Sequence, residues 1–475
     1  MGPSLRVFKN SLALSLSVLI ERGIAFLLPW YVARVLGREI WGDFSTAYAF
    51  VLIAATIGPW GLIGLLPRQI ARDRQQAGTI LVNASVIGFG VSLVTIVGMF
   101  LLVNWLDYPP QVQSLIYLGL LLVIVPQTEA TLSEAIIHGL EQMEWIVYVR
   151  LPATVVRITT SIYLLEQGYG IEILFVLLAL YYAFNSLLYI LIFRRSLAYF
   201  RLRPSWPDVR LLFIQAMPFF LIISASEVFK QIDRIFLSTF WNTDAVGVYA
   251  TGIMFTQLIY MLAPAVMGAL FPGLARTYVK SRERFSYLLS WLFKLLTILI
   301  FPLTLFTVSF AGPMIRLVFG PDYEPSVAVL QITALGILPS FLSRLFYRAT
   351  LASDNERLAL YVALVGNVAA ILFNILLIPS YGIIGASLAA VGVILVNLLQ
   401  NFWYVTWFAT FDFKRAAIKP GICALLSSIV YLLLWPHSLI WAFVVAAISF
   451  VLALLITGTI GREDLVNLQL VKPQS

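Results

Sequence analysis

The chain has 475 residues, of which 61% are hydrophobic and only 11% charged, with a formal net charge of +8. That balance excludes a soluble domain and defines a polytopic membrane protein. The single cysteine, Cys423, excludes an intrachain disulfide and a thiolate cluster, and His138 and His437 have no zinc-ligand spacing.

A spanning helix needs about 20 mostly apolar residues. Such runs occur at about 11–33, 45–66, 79–103, 114–137, 145–165, 171–193, 211–238, 245–270, 286–308, 326–347, 358–378, 382–408, 418–435 and 439–459, fourteen in all. The first follows a short basic segment (Arg6, Lys9) but continues past Glu21 and Arg22 without a small-residue cleavage site. We therefore read it as a retained span, not a signal peptide. Gly2 does not begin a myristoylation motif, because Arg6 stands where Ser or Thr is needed.

Charge at bilayer depth costs roughly 2.5–3.5 kcal/mol per residue on insertion scales and usually faces a protein interior or a wet cavity. Span one carries Glu21 and Arg22 near its middle, pointing about 100° apart. Span four carries Glu129 and Glu134, and span five carries Arg150 and Arg157, seven residues apart on one face. These four are expected to pair structurally. Span seven is the most charged. Glu227, Lys230 and Arg234 share a face at i, i+3, i+7, and Asp233 borders it. Two readings fit: a self-neutralising network, or a site whose cations hold an anionic headgroup while a carboxylate carries a coupling proton or sodium ion. Arginine suits bidentate phosphate contact and lysine a point charge. Lys294, on span nine, either faces a cytoplasmic vestibule or snorkels to the interface.

Loop charge sets the orientation. With the N-terminus cytoplasmic, 22 of the 31 basic residues fall in inner segments, three (Arg34, Arg38, Arg316) in outer segments and six within spans. Basic loops beside anionic lipid account for the charge without a nucleic-acid partner. An even number of spans puts both termini in the cytoplasm. The loops are too short for an extramembrane catalytic domain, so no enzyme activity is expected. The absence of a Gly-x-x-x-x-Gly-Lys-Ser/Thr motif argues against direct drive by ATP, and no cofactor is expected.

The halves echo each other. Trp41-Gly42-Asp43-Phe44 matches Val246-Gly247-Val248-Tyr249, Asp107-Tyr108-Pro109-Pro110 matches Asp322-Tyr323-Glu324-Pro325, Pro126 matches Pro339, and Tyr169-Gly170-Ile171 matches Tyr381-Gly382-Ile383. An offset of six spans preserves orientation. The expected fold is therefore all-α: two parallel-repeat six-helix bundles around a central cavity, followed by two extra helices. The expected boundaries are 1–200, 201–410 and 411–475.

Several strings resemble the polysaccharide transporter, or O-antigen flippase, branch of the multidrug/oligosaccharidyl-lipid/polysaccharide (MOP) exporter superfamily. They are Gln231-Ile232-Asp233-Arg234-Ile235-Phe236-Leu237-Ser238 followed by Ala245-Val246-Gly247-Val248-Tyr249-Ala250, Arg34-Val35-Leu36-Gly37 with Trp41-Gly42, Met314-Ile315-Arg316-Leu317-Val318-Phe319-Gly320 through Tyr323, and His138-Gly139-Leu140-Glu141-Gln142-Met143. The resemblance runs from about residue 10 to 410. It implies two bundles around a V-shaped cavity in a bacterial inner membrane. It also implies flipping of a polyprenyl-diphosphate-linked oligosaccharide by a functional monomer, driven by H+ or Na+ antiport. Carried onto this chain, the diphosphate contacts are Arg22, Lys230, Arg234 and Lys294, and the coupling carboxylates are Glu21, Glu227 and Asp233. The two extra helices resemble those of fourteen-span lipid-linked peptidoglycan precursor flippases. The alternatives are a multidrug/cation antiporter of the same superfamily, which the cations on spans one and seven oppose, and a lipid-sugar polymerase or ligase, which the short outer loops oppose.

Overall fold

The structure, a computed structural model, describes residues 20, 21, 23–196, 204–353, 355–411 and 417–459. Its helices are α1 (Gly23–Leu36), α2 (Arg38–Ile57), α3 (Leu62–Arg72), α4 (Ala77–Trp105), α5 (Pro110–Gly139), α6 (Glu144–Glu166), α7 (Ile173–Ser196), α8 (Trp206–Phe240), α9 (Thr243–Tyr260), α10 (Ala263–Lys280), α11 (Arg282–Ser309), α12 (Ala311–Val318), α13 (Pro325–Ala334), α14 (Ile337–Ala352), α15 (Glu356–Val405), α16 (Lys419–Leu434) and α17 (Leu439–Ile456). The described parts of the predicted apolar runs are mainly helical, with turns inside three of them at 58–61, 261–262 and 335–336. Among the described residues, nine helices are long and apolar enough to cross a membrane. One of them, Tyr361–Val405, is 45 residues long. At 1.5 Å per residue that is about 68 Å, roughly twice a bilayer core. Gly382, at φ 53°, breaks α15 into two helices, matching the predicted division between spans eleven and twelve.

The chain forms two compact units, residues 1–250 and 251–475. In the first unit α8 packs on α2, α3 and α4. The physical reason is the break between α2 and α3, where Trp60 and Gly61 take positive φ of 49° and 70°. The break turns the Trp60 indole between Phe213 and Phe220 of α8, at centroid distances of 4.4 and 4.0 Å. Its Nε1 donates to the Phe213 carbonyl at 3.0 Å. A Cβ on Gly61 would lie 2.7 Å from the Ala216 carbonyl oxygen and the Phe220 Cα, so only glycine admits α8 at this point. Gln69 Nε2 donates to Gln215 Oε1 at 2.8 Å, extending the seam. At the other end of α2, Gly42 lies against the first turn of α9. There a Cβ would stand 3.1 Å from the Gly247 nitrogen, and Arg38 pairs with Asp244 at 2.9 Å. These two glycines are the residues matched by the internal repeat.

Within the first unit, α5 is the central post, packed on α2, α4 and α7. Lipid is as apolar as leucine, so close packing over small residues, more than burial, holds such helices together. Gly119 supplies it here, lying under Phe175 of α7. The second unit is built around Phe285, Leu289, Phe341, Leu345 and Phe346. Its last two helices meet over Ala442 and Ala446, where Ser427 Oγ donates to the Ala446 carbonyl at 2.6 Å. Cys423, Phe450 and Leu454 pack against Ile298 and Phe301 of α11.

Candidate functional site

The polar interior of the first unit is assembled from Glu21, just before α1, and from α2, α5, α6, α7, α8 and the start of α9. Arg150 on α6 is its most heavily neutralised group. Its Nη2 meets Glu21 Oε1 at 2.9 Å and its Nη1 meets Glu134 Oε1 at 3.0 Å. Thr154 Oγ1 donates to Tyr181 at 3.2 Å and lies 3.4 Å from Glu21, while Tyr189 donates to Glu134 at 3.4 Å. The predicted Arg150–Glu134 pair is thus present. Glu21, expected to couple ions, is engaged as the second counter-charge of Arg150. Its neighbour Arg22 lies outside the described residues.

The expected pairing fails for Glu129 and Arg157. Glu129 accepts from Ser85 Oγ at 2.6 Å and borders an apolar cavity of about 630 Å³ lined by Leu81, Phe89, Val125 and Ile190. It faces α4, so it does not meet α6. Arg157 sits with its guanidinium over the Tyr181 ring, 5.3 Å from the centroid. Its Nε is buried with no hydrogen-bond partner.

On α8 the charges form a ladder. Lys230 meets Glu227 Oε2 at 3.0 Å, Gln231 Nε2 donates to Glu227 Oε1 at 3.0 Å, and Arg234 Nη1 donates to Gln231 Oε1 at 3.1 Å. Lys230 is 63% exposed and Glu227 only 19%, so the lysine reaches outward while the carboxylate turns in. Asp233 accepts from the Arg234 backbone nitrogen at 2.9 Å and from the Tyr249 hydroxyl of α9. The Arg234 Nε, like that of Arg157, is buried without a partner. The Tyr48 ring of α2 stacks on Phe44 with centroids 5.7 Å apart, and the Tyr181 and Tyr182 rings of α7 meet edge to face at 5.1 Å. Sequence reasoning missed this tyrosine wall. The Tyr181-Tyr182 doublet inside an apolar run was the available signal.

Lys294 is elsewhere. Its ammonium donates to the Thr459 carbonyl at 3.0 Å, and Lys419 donates to the Thr457 carbonyl at 3.3 Å. Two cations therefore cap the C-terminal end of α17, where the helix dipole is negative. That contact gives Lys294 a structural occupation, tying α17 to α11.

Apolar helices with charged groups held among them define a polytopic membrane protein, and its matches to known proteins place it in the MOP superfamily. A family model described as polysaccharide biosynthesis protein matches residues 7–278, and one described as lipid II flippase MurJ matches residues 158–459. The chain belongs to the polysaccharide biosynthesis protein family of that superfamily. It is similar to the probable low-salt glycan biosynthesis flippase Agl15 of Haloferax volcanii, at 22% identity over 89% of this chain and 88% of that one. It is also similar to an uncharacterised membrane protein, MJ1375, of Methanocaldococcus jannaschii, at 23% identity over 80% and 93%. Among solved structures, a lipid II flippase MurJ in an inward closed conformation superposes with a TM-score of 0.75, at 18% identity, covering 96% of this chain and all of that one. An inward-facing multidrug resistance MATE transporter superposes at 0.65, with 14% identity over 82% and 94%.

Proposed function

We propose that this protein flips a polyprenyl-diphosphate-linked oligosaccharide from the cytoplasmic to the outer leaflet of a cell membrane by ion-coupled alternating access. The observation that carries the reading is the arginine-bearing polar interior of a chain with nine apolar helices among its described residues. Guanidinium groups at bilayer depth suit an anionic headgroup, and the lipid tail of such a substrate stays in the bilayer. Family membership and the likeness to flippases support it. Arg234, Lys230 and Arg22 supply cations to the diphosphate. Glu227 and Asp233 are the carboxylates that exchange a proton or sodium ion. Glu21 and Lys294, given the partners they have, serve the fold. A bacterial inner membrane, cytoplasmic termini, a monomer and an O-antigen-type glycan complete the proposal.

The test is flipping of a fluorescent polyprenyl-diphosphate oligosaccharide in proteoliposomes, with and without an imposed pH or sodium gradient. Gradient-stimulated transfer that falls in Glu227→Gln supports the reading. The absence of any lipid transfer, with movement of an organic cation instead, overturns it in favour of a multidrug antiporter. That alternative draws on the same fold likeness, but the arginines repel its substrates.

A further inference from the structure

Glu129 is an acid at bilayer depth that the flippase reading does not use. Among the described residues its carboxyl accepts from Ser85 Oγ of α4 at 2.6 Å and has no cation in ion-pair range. A hydrogen bond between α4 and α5 does not require an acid. Two turns along the same helix pair, Ser92 and Thr128 make one at 3.1 Å with two hydroxyls. There Gly88 already brings the helices together, since a Cβ on it would lie 2.8 Å from Thr128 Cγ2. What sets Glu129 apart is the cavity of about 630 Å³ that it borders between α4, α5 and α7. Ser85 and Glu129 are the polar side chains of its wall, and the rest is apolar. From Leu81 to Phe89 the wall follows α4 for eight residues, about 12 Å. Pro204 adjoins the Leu81 end, where the Ser205 nitrogen donates to Asn83 Oδ1 at 2.9 Å and holds the chain against α4. Around the cavity the helices turn apolar side chains outward: Phe89, Leu121 and Leu122 near Val125, and Leu187 and Leu191 beside Ile190. Such a face meets lipid hydrocarbon, so an occupant enters from the bilayer and has an apolar body. An apolar cavity of about 150 Å³ already holds benzene, and this one has room for a long alkyl chain. A plain hydrocarbon would leave the acid with Ser85 alone. An alkylammonium fills the wall with its chain and gives the carboxylate N–H donors of opposite charge, an attraction that is strong where water is scarce.

We propose that this cleft of the first unit binds a lipophilic monoamine, with the alkyl chain against Phe89, Val125 and Ile190 and the ammonium donating to Glu129. Ser85 holds the carboxylate toward the cleft. The site does not rest on the flippase reading.

The full-length protein in phosphatidylcholine nanodiscs is photolabelled with a dodecylamine that carries a diazirine in its chain, and the labelled residues are identified by mass spectrometry. Labels should fall on the cleft residues of α4, α5 and α7. Unlabelled dodecylamine should compete, and dodecanol, at equal concentration in the membrane, at least about tenfold more weakly, the worth of one charge-assisted hydrogen bond. Glu129→Gln keeps a partner for Ser85 but removes the charge. It should weaken competition by the amine by a similar factor and leave that by the alcohol unchanged. Val125→Trp fills the cavity while keeping the acid, and should lose the cleft labels. Should dodecanol compete as well as dodecylamine, or Glu129→Gln bind the amine as tightly as wild type, the cleft takes lipid chains whatever their head and the proposal fails. Labels outside the cleft overturn it as well. The comparison of amine with alcohol is made on the wild type, so it decides the question even if a variant does not fold.

Discussion

Arg150 and Arg157 lie on one face of one helix, yet the structure treats them oppositely. Arg150 is closed off by Glu21 and Glu134, with Thr154, Tyr181 and Tyr189 filling out the network. Arg157 is given an aromatic plane and no acid. Within two helical turns the same residue type is first paired with two acids and then laid over a tyrosine ring. A charge compensated inside the chain holds helices together, and a charge left uncompensated is available to something that comes and goes. The α8 ladder lies between these extremes: Glu227 satisfies Lys230, while Arg234 keeps a donor free.

The contrast is broken most forcefully at Arg150. Replacing it by methionine leaves Glu21 and Glu134 facing each other without a cation. Removal of one partner from a buried pair costs about 3 kcal/mol or more. We expect Arg150→Met to show a large drop in thermal unfolding temperature in detergent, and Arg157→Met to show none or a small rise. Equal losses would mean that the two arginines do the same work. Next in size is Lys294→Met, which strips a charged donor from the Thr459 carbonyl. A loss of about 1–2 kcal/mol is expected, together with faster proteolysis of α16 and α17 and little change in pyrophosphate binding. A collapse of anion binding there would return Lys294 to the site.

Much of this was legible in the chain and some was not, for identifiable reasons. Apolar runs located the helices, since length and composition set a membrane span. The Arg150–Glu134 pair followed from two neighbouring spans with opposite charge. Glu21 could not be foreseen as the second partner, because it comes from 129 residues away and nothing local specifies which face of α6 it meets. Arg157 was misread because spacing shows a shared face but not what that face meets: over one stretch it meets acids, over the next tyrosines. Glu129 was misread likewise, since its face turns to Ser85. The adherence of α8 to the first unit depends on backbone at Trp60 and Gly61 with positive φ, a detail that hydropathy does not carry.

Lys230→Ala probes the middle of the comparison. The pair with Glu227 has an exposed lysine at i, i+3, and such contacts contribute below about 1 kcal/mol. Unfolding temperature should hardly move. Transport should fall only modestly, because under the proposed function Arg234 still faces the diphosphate. A near-complete loss of transport would make Lys230 the main cation for the diphosphate.

The smallest effect lies outside the spans, in a pair as fully matched as any in the molecule. Arg316 donates from Nε and Nη2 to the two oxygens of Glu324 at 2.7 and 2.6 Å, and both side chains are exposed. The hydrogen bonds from Arg316 hold the Glu324 carboxyl below its ordinary value of 4.5. A carboxyl lowered in the folded state binds fewer protons there than in the unfolded chain, so its contribution is present above the unfolded value and is lost as pH falls through the folded one. Wild type and Glu324→Gln should therefore differ slightly and constantly near neutrality, and converge as the pH drops below about 4.5. High salt should shrink the gap at neutral pH, because solvent screens an exposed pair. A gap that persists undiminished in acid would mean that Glu324 holds the α12–α13 turn by shape and not by charge. Matched geometry would then say little about compensation, and the distinction drawn between Arg150 and Arg157 would need support from energies as well as partners.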